Sequence, residues 1–419
     1  MSTNRWSSDP GRKPGDYRSL RVAFVALSTL AILIATLHNA GGELPTGWSL
    51  TISDGDDALA GLIQNLLLFI PLGASLVLAG VHPLVAVAIG SALSCSVEFA
   101  QQWIPGRDPS LGDIICNANS TAIGVALVVF APRWLWPPPR SRRAAWQALA
   151  TACLAVLVWL GTGAVLRPIF PDPPYQNLWT PDWYFWGHYR GKVLSSQGTI
   201  RARDRTFALR ATVVAPSRPP GRDSPLVVIA DSGGTNLLIL GADGSDLLLL
   251  YHTRALPLTL EHPDLRWRGA LARVAPNDTF TAQTWRDEHG VCLGVNSAQR
   301  CGYGYTIGDG WKLIFYPEHF PVWLLATINM LWITGWTIGI GYWAGRAGKS
   351  PVRVAAVALI VGGLLLVPVL TQMKVTPVHE WLGAVLGLGV GYLWSQELSR
   401  DRELSDTPAH LESRYRAPP

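Results

Sequence analysis

Apolar runs of membrane-crossing length alternate with short polar stretches along most of the chain. Runs at 20–37, 58–79, 84–104, 113–131, 146–166, 321–344, 354–370 and 379–395 each predict a spanning helix, eight in all. Between the fifth and sixth runs the pattern changes. Residues 167–318 are richer in Pro, Gly and charge, and hold no run of spanning length. Short apolar or alternating runs at 207–215, 226–231, 236–240 and 247–252 are separated by Gly233-Gly234 and Asp243-Gly244. Further runs at 280–285 and 291–295 precede a return strand ending at Tyr305. Many short strands with turn residues between them predict a β-sandwich.

Composition agrees with a membrane protein. Of 419 residues, 49% are apolar and only 15% charged, and the mean hydropathy is +0.22. The net charge of +5 does not indicate a nucleic-acid partner, because the basic residues gather between spans. They cluster at the N-terminus, at 133–143, at 346–353 and near the C-terminus, and eight spans put every cluster on one side. The expected organisation is a cytoplasmic tail at 1–19, a four-helix unit at 20–145, a fifth helix at 146–166, an extracytoplasmic sandwich at 167–318, a three-helix unit at 319–396 and a cytoplasmic tail at 397–419. The first run lacks a small-residue cleavage site, so it reads as a retained helix of a multi-pass plasma-membrane protein.

Cys95, Cys116 and Cys153 fall in spans, where free thiols act as small apolar groups. Cys292 and Cys301 fall in the sandwich. A hairpin turning at Asn296-Ser297 sets 295 against 298 and 292 against 301, and cross-strand Cα spacings of about 4.5–5.5 Å suit a disulfide. That bond requires an oxidising compartment.

Polar side chains inside spans cost several kcal/mol unless partnered. On the third run Ser91, Ser94, Glu98 and Gln101 share one helical stripe, and on the fourth Asp113, Asn117, Thr121 and Gly124 share another. Asn65 sits within two turns of the outer end of the second run, and Arg107 and Asp108 lie in the connecting loop. Asn65, Glu98, Gln101, Arg107, Asp113 and Asn117 therefore reach similar depth. Two readings stand: the side chains satisfy one another and pin the helices, or they form a pocket for a polar headgroup. In the second, Arg107 grips a phosphate or carboxylate, with Glu98 its partner in the empty state. No nucleotide loop, zinc spacing or nucleophilic triad stands out, and no cofactor or metal is expected. Asp231, Asn236, Asp243 and Asp246 more readily serve turns than metal.

The order N65-x3-F69-x-P71-L72-G73, S94-x3-E98-x2-Q101, P105-G106-R107 and D113-x3-N117, with Gly124 beyond, resembles the VanZ-like membrane domain, a family named for teicoplanin resistance. The resemblance covers about residues 20–135. It implies a cell-envelope setting and a membrane lipid or lipid-linked envelope precursor as partner. Where the family often reads N-x-x-G-A-x-x-G, this chain has Asn117 followed by Ser120 in place of the first Gly. The later segment His379-Glu380-Trp381-Leu382-Gly383-Ala384-x2-Gly387 resembles that pattern, with Glu380 at the Asn place. With Asn329 taken as the counterpart of Asn65 and Gln372 of Gln101, the residues Asn329, Gln372, His379 and Glu380 form a second expected cluster, in a parallel repeat. The sandwich resembles laminin-G or concanavalin-A-like jelly rolls and reads either as a lid or as a glycan binder. Binding or remodelling of an outer-leaflet lipid or glycan is the expected function, with an enzyme or a scaffold as alternatives.

Overall fold

In the computed structural model, residues 15–38, 43–49, 57–134, 141–180, 187–221, 223–287 and 290–405 are described. Expectations for the tails at 1–14 and 406–419, and for the loop residues 50–56 and 135–140, lie outside them. The described residues form helices α1 (Gly15–Leu37), α2 (Ala58–Leu78), α3 (Pro83–Gln101), α4 (Leu111–Trp134) and α5 (Arg142–Leu166), then ten strands, then α6 (Val322–Arg346), α7 (Pro351–Thr371) and α8 (Val378–Ser405). Seven of them, α1 to α7, are long and apolar enough to cross a membrane. The eighth predicted span forms as a helix but is not among those seven. It opens on His379-Glu380 and carries Gly383, Gly387, Gly389 and Gly391, which lower its hydropathy.

Helix ends differ from the apolar runs. α1 begins at Gly15, inside the expected tail, and α8 continues to Ser405, past the expected end at 395. Helix formation needs backbone hydrogen bonds rather than apolar side chains, and past 395 Gln396, Glu397, Arg400, Arg402 and Glu403 are good helix formers that carry α8 beyond its apolar run. α3 starts on Pro83, whose fixed φ suits a first helical turn.

The chain falls into two compact units. One comprises residues 1–149, 338–354 and 388–419. Its core joins Ile32 of α1, Phe69, Leu72 and Leu76 of α2, Ala86 and Val97 of α3, and Val125 of α4. Helices α2 and α4 meet through glycine. A Cβ on Gly73 would come within 2.2 Å of the Thr121 carbonyl oxygen, so only hydrogen fits there.

The other unit comprises residues 150–337 and 355–387. It holds two five-stranded antiparallel sheets. The strands are β1 (Tyr175–Trp179), β2 (Lys192–Arg201), β3 (Thr206–Val214), β4 (Ser224–Asp231), β5 (Asn236–Asp243), β6 (Asp246–Tyr251), β7 (Leu265–Trp267), β8 (Thr279–Asp287), β9 (Gly290–Val295) and β10 (Ala298–Tyr303). One sheet runs β1-β4-β5-β6-β7 and the other β10-β9-β8-β3-β2. Leu209 and Val213 of one sheet share a core with Val227, Ile229, Leu238 and Leu240 of the other, which makes the sandwich. The three strands not read from sequence, β1, β2 and β7, are all sheet edges. Edges need no apolar pattern, because one side of the strand meets no partner.

The disulfide Cys292–Cys301 is present, with its Cα atoms 4.0 Å apart. Its hairpin has the expected register, Val295 against Ala298, and a bulge follows Arg300.

Candidate functional site

The approach to α4 builds the first site. Ser110 caps the helix, its Oγ accepting the Gly112 N–H at 3.0 Å. The Ser110 N–H in turn donates to Glu98 Oε2 of α3 at 2.9 Å. A buried carboxylate at a helix N-terminus is favoured by the free N–H groups and the helix dipole there. One turn on, Asp113 accepts a hydrogen bond from Asn65 Nδ2 of α2 at 2.6 Å. The segment before α2 joins this frame. Ser49 N–H donates to the Pro109 carbonyl at 2.9 Å, and Leu111 N–H donates to the Ser49 carbonyl at 3.0 Å.

These elements enclose an open cleft of about 470 Å³. Asn65, Asp113, Asp57, Asp108, Ser49 and Ser110 supply its polar lining, with Thr46, Gly47, Trp48 and Gly61. Among the described residues, three carboxylates therefore face it, and no Lys or Arg does.

The six residues expected at this site are distributed among several partners. Asn65 and Asp113 pair with each other and line the cleft. Glu98 is buried behind Ser110 and does not line it. Asn117 Nδ2 donates to Ser94 Oγ at 3.0 Å, deeper between α3 and α4, and its Oδ1 is buried without a partner. Gln101 Nε2 donates to the Thr36 carbonyl of α1 at 3.0 Å. Arg107 also turns toward α1, where its Nη2 donates to the Ala35 carbonyl at 3.1 Å and meets the His38 ring. Arg107 is not part of the cleft lining, and no ion pair joins it to Glu98. Asp57, Ser49 and Ser110 were not expected there. The spacing Ser110-x-x-Asp113 is a helix-start signature and was the available clue.

The second expected cluster is narrower than the sequence reading. Asn329 of α6 and Glu380 of α8 meet the 3-10 turn Ile307–Leu313 that leaves the sandwich. Thr306 Oγ1 donates to Glu380 Oε1. A Cβ on Gly308 would fall 2.3 Å from that same oxygen, so the Gly308 backbone, with its N–H, faces the Glu380 carboxylate. Asn329 Nδ2 donates to Asp309 Oδ1 at 3.0 Å, and Trp311 Nε1 donates to Asn329 Oδ1 at 2.7 Å. Lys312 Nζ lies 2.7 Å from Asp309 Oδ1. Burial opposes charge on Asp309, but Lys312 and the Thr306 N–H more than compensate, and its pKa is lowered. His379 borders the group, with Nε2 4.0 Å from Glu380 Oε1. Gln372 lies outside it and accepts from Arg205 Nη1 at 3.2 Å.

The loop acids of the sandwich have structural partners. Asp231 closes its turn on the N–H groups of Gly233 and Thr235, each at 2.8 Å. Asp243 and Asp246 face Arg266.

A family model described as VanZ/LLP1 matches residues 15–132, which hold α1 to α3 and most of α4. No curated protein and no solved structure matches the chain.

Proposed function

We propose that the first four helices bind the headgroup of a cell-envelope lipid, or of a lipid-linked envelope precursor, in the cleft at the start of α2 and α4. The carrying observation is the polar cleft of about 470 Å³ that opens beside Asn65 and Asp113 in the VanZ/LLP1-matched segment. Its carboxylates and hydroxyls favour a headgroup rich in N–H and O–H donors over an anionic one. Arg107, first expected to grip an anion, is engaged with α1 and takes a positioning role, holding the loop that carries Asp108 and Ser110.

A cell-envelope setting belongs to the same reading. Basic loops on one side of the spans and a disulfide in the sandwich support a plasma-membrane protein with cytoplasmic termini and an extracytoplasmic β domain. The two-sheet domain is read as a concanavalin-A or laminin-G-like module that binds glycan. A change in glycopeptide antibiotic tolerance is the cellular readout.

The test is lipid retention by the full chain in nanodiscs of native lipid extract, followed by native mass spectrometry. Wild type should retain a lipid that Asn65→Leu and Asp108→Asn lose while the protein stays folded. Equal retention by all three defeats the proposal. Acid–base chemistry on a bound precursor is the second reading, favoured by Asp113 in the cleft wall. It requires turnover that Asp113→Asn removes.

A further inference from the structure

The close contacts between helices occur twice, with the same three-residue step along each helix. In the first half, a Cβ on Gly124 would meet the Ile70 carbonyl oxygen at 2.1 Å, and one on Gly73 would meet the Thr121 carbonyl oxygen at 2.2 Å. In the second half, Gly391 stands to the Ile338 carbonyl at 2.0 Å and Gly341 to the Leu388 carbonyl at 2.2 Å. Gly73 follows Ile70 by the same step as Gly341 follows Ile338, and Thr121 precedes Gly124 as Leu388 precedes Gly391. Burial repeats as well. Ala86, Gly90, Ser94, Val97, Glu98 and Gln101 are the buried positions of α3, and at one constant offset Ala356, Ile360, Leu364, Val367, Pro368 and Thr371 are buried in α7. Gln101 reaches the carbonyl of Thr36 in α1, and Thr371 packs on Gly163 of α5. The α1-to-α5 spacing that pairs Thr36 with Gly163 also pairs Ile32 with Trp159, both fully buried.

We infer that α5 to α8 are a second copy of α1 to α4, and that the Thr306–Lys312 segment occupies in it the place a ligand takes in the first. The deduced register differs by one helical turn from the sequence reading. Glu380 corresponds to Asp113 rather than Asn117, and Asn329 to Gly61 rather than Asn65. The second copy has lost the counterparts of Glu98, Asn65 and Asn117, where Pro368, Ile333 and Ala384 stand. Its remaining carboxylate accepts the Thr306 hydroxyl and faces the backbone amide of Gly308, and its Oε2 is buried with no partner. A chain segment that satisfies this position indicates what the open copy takes: a headgroup that presents a hydroxyl and an amide N–H to Asp113. N-acylated amino sugars and hydroxyl-bearing peptides share that chemistry. The inference rests on the proposed cleft and specifies its ligand class.

The experiment titrates the full chain in nanodiscs by saturation-transfer NMR with two probes and their controls. N-acetylglucosamine is compared with glucose, which lacks the amide, and N-acetylthreoninamide with N-acetylvalinamide, which lacks the hydroxyl. At least one probe should bind about tenfold more tightly than its control, and the arm that does so distinguishes sugar from peptide. Asp113→Leu should remove the preference, and so should Asp108→Asn in a second variant if the first fails to fold. Glu380→Gln should leave it intact, because that position is already filled. Equal binding of probe and control in both arms overturns the inference. So does loss of the preference in Glu380→Gln with retention in Asp113→Leu. If lipid is retained in the cleft while both probes fail, only the ligand class falls; if no lipid is retained either, the proposed function falls with it.

Discussion

Gly124 of α4 lies against the carbonyl of Ile70 in α2 so closely that an added Cβ would stand 2.1 Å from its oxygen. Backbone, not a flexible side chain, is the obstacle, so the helices must separate to admit a methyl group. Gly124→Ala should destabilise the helical unit by about 1–3 kcal/mol or more. Gly391→Ala should do the same, with 2.0 Å to Ile338. Gly389→Ala is the control, since nothing lies within 4 Å of its position. Thermal unfolding in detergent, followed by size-exclusion monodispersity, checks the three together. Equal melting of Gly391→Ala and Gly389→Ala would contradict the close packing of α6 on α8.

Asn65 and Asp113 couple α2 to α4 at the mouth of the cleft through one hydrogen bond of 2.6 Å. Asn65→Leu leaves the carboxylate without that donor in a half-buried place. The loss should be about 1.5–3 kcal/mol, as for a hydrogen bond to a charged group. Asn65→Asp should cost at least as much, because it sets two carboxylates against each other. The measurement is again thermal unfolding, with Asp113→Asn in the Asn65→Leu background. If the buried charge carries the penalty, the double variant regains part of the loss.

Legibility in the sequence divided along physical lines. Apolar length marked the seven helices long and apolar enough to cross a membrane, because lipid imposes that length directly. Central strands such as β4 and β6 were visible, because both are buried almost throughout. Edge strands β1, β2 and β7 were not. At the site, the stripe rule pointed to α3 and α4 but not to the partners of their polar side chains. Glu98, Gln101 and Arg107 each bond to backbone or to α1, and a side-chain inventory does not reveal backbone partners. The turn that meets Glu380 lies 74 residues before it, beyond what local pattern connects.

Cys292 and Cys301 close a short loop across β9 and β10. Restricting the unfolded chain in this way contributes about 2–4 kcal/mol. Cys292→Ser should lower the unfolding temperature of the sandwich, and a reducing agent should lower it for wild type to the same value while leaving the variant unchanged. Mass spectrometry of the alkylated protein from native membranes should find both thiols blocked. Finding them free would place the domain in a reducing compartment and reverse the proposed orientation.

Arg266 carries the electrostatics of the sandwich edge. It lies within 4.0 Å of Asp223, Asp243, Asp246, Asp264 and Glu318, with its side chain 5% exposed. Removing the cation leaves partly buried carboxylates facing one another, so Arg266→Met should cost about 3–5 kcal/mol. Even with Arg266 present, burial first and Glu318 second push the Asp223 carboxyl up to about 7. Folded Asp223 thus keeps a proton that the unfolded chain releases near 3.8. Its contribution to stability is fully present below that lower value and is lost as pH rises toward 7. Asp223→Asn, which cannot release a proton, removes this slope. Hydrogen exchange of β4 and β7 peptides in the full chain, measured between pH 4 and 7, should show wild type opening more readily at the upper end and the variant far less changed. Parallel pH profiles for the two proteins would show that Asp223 is ionised throughout.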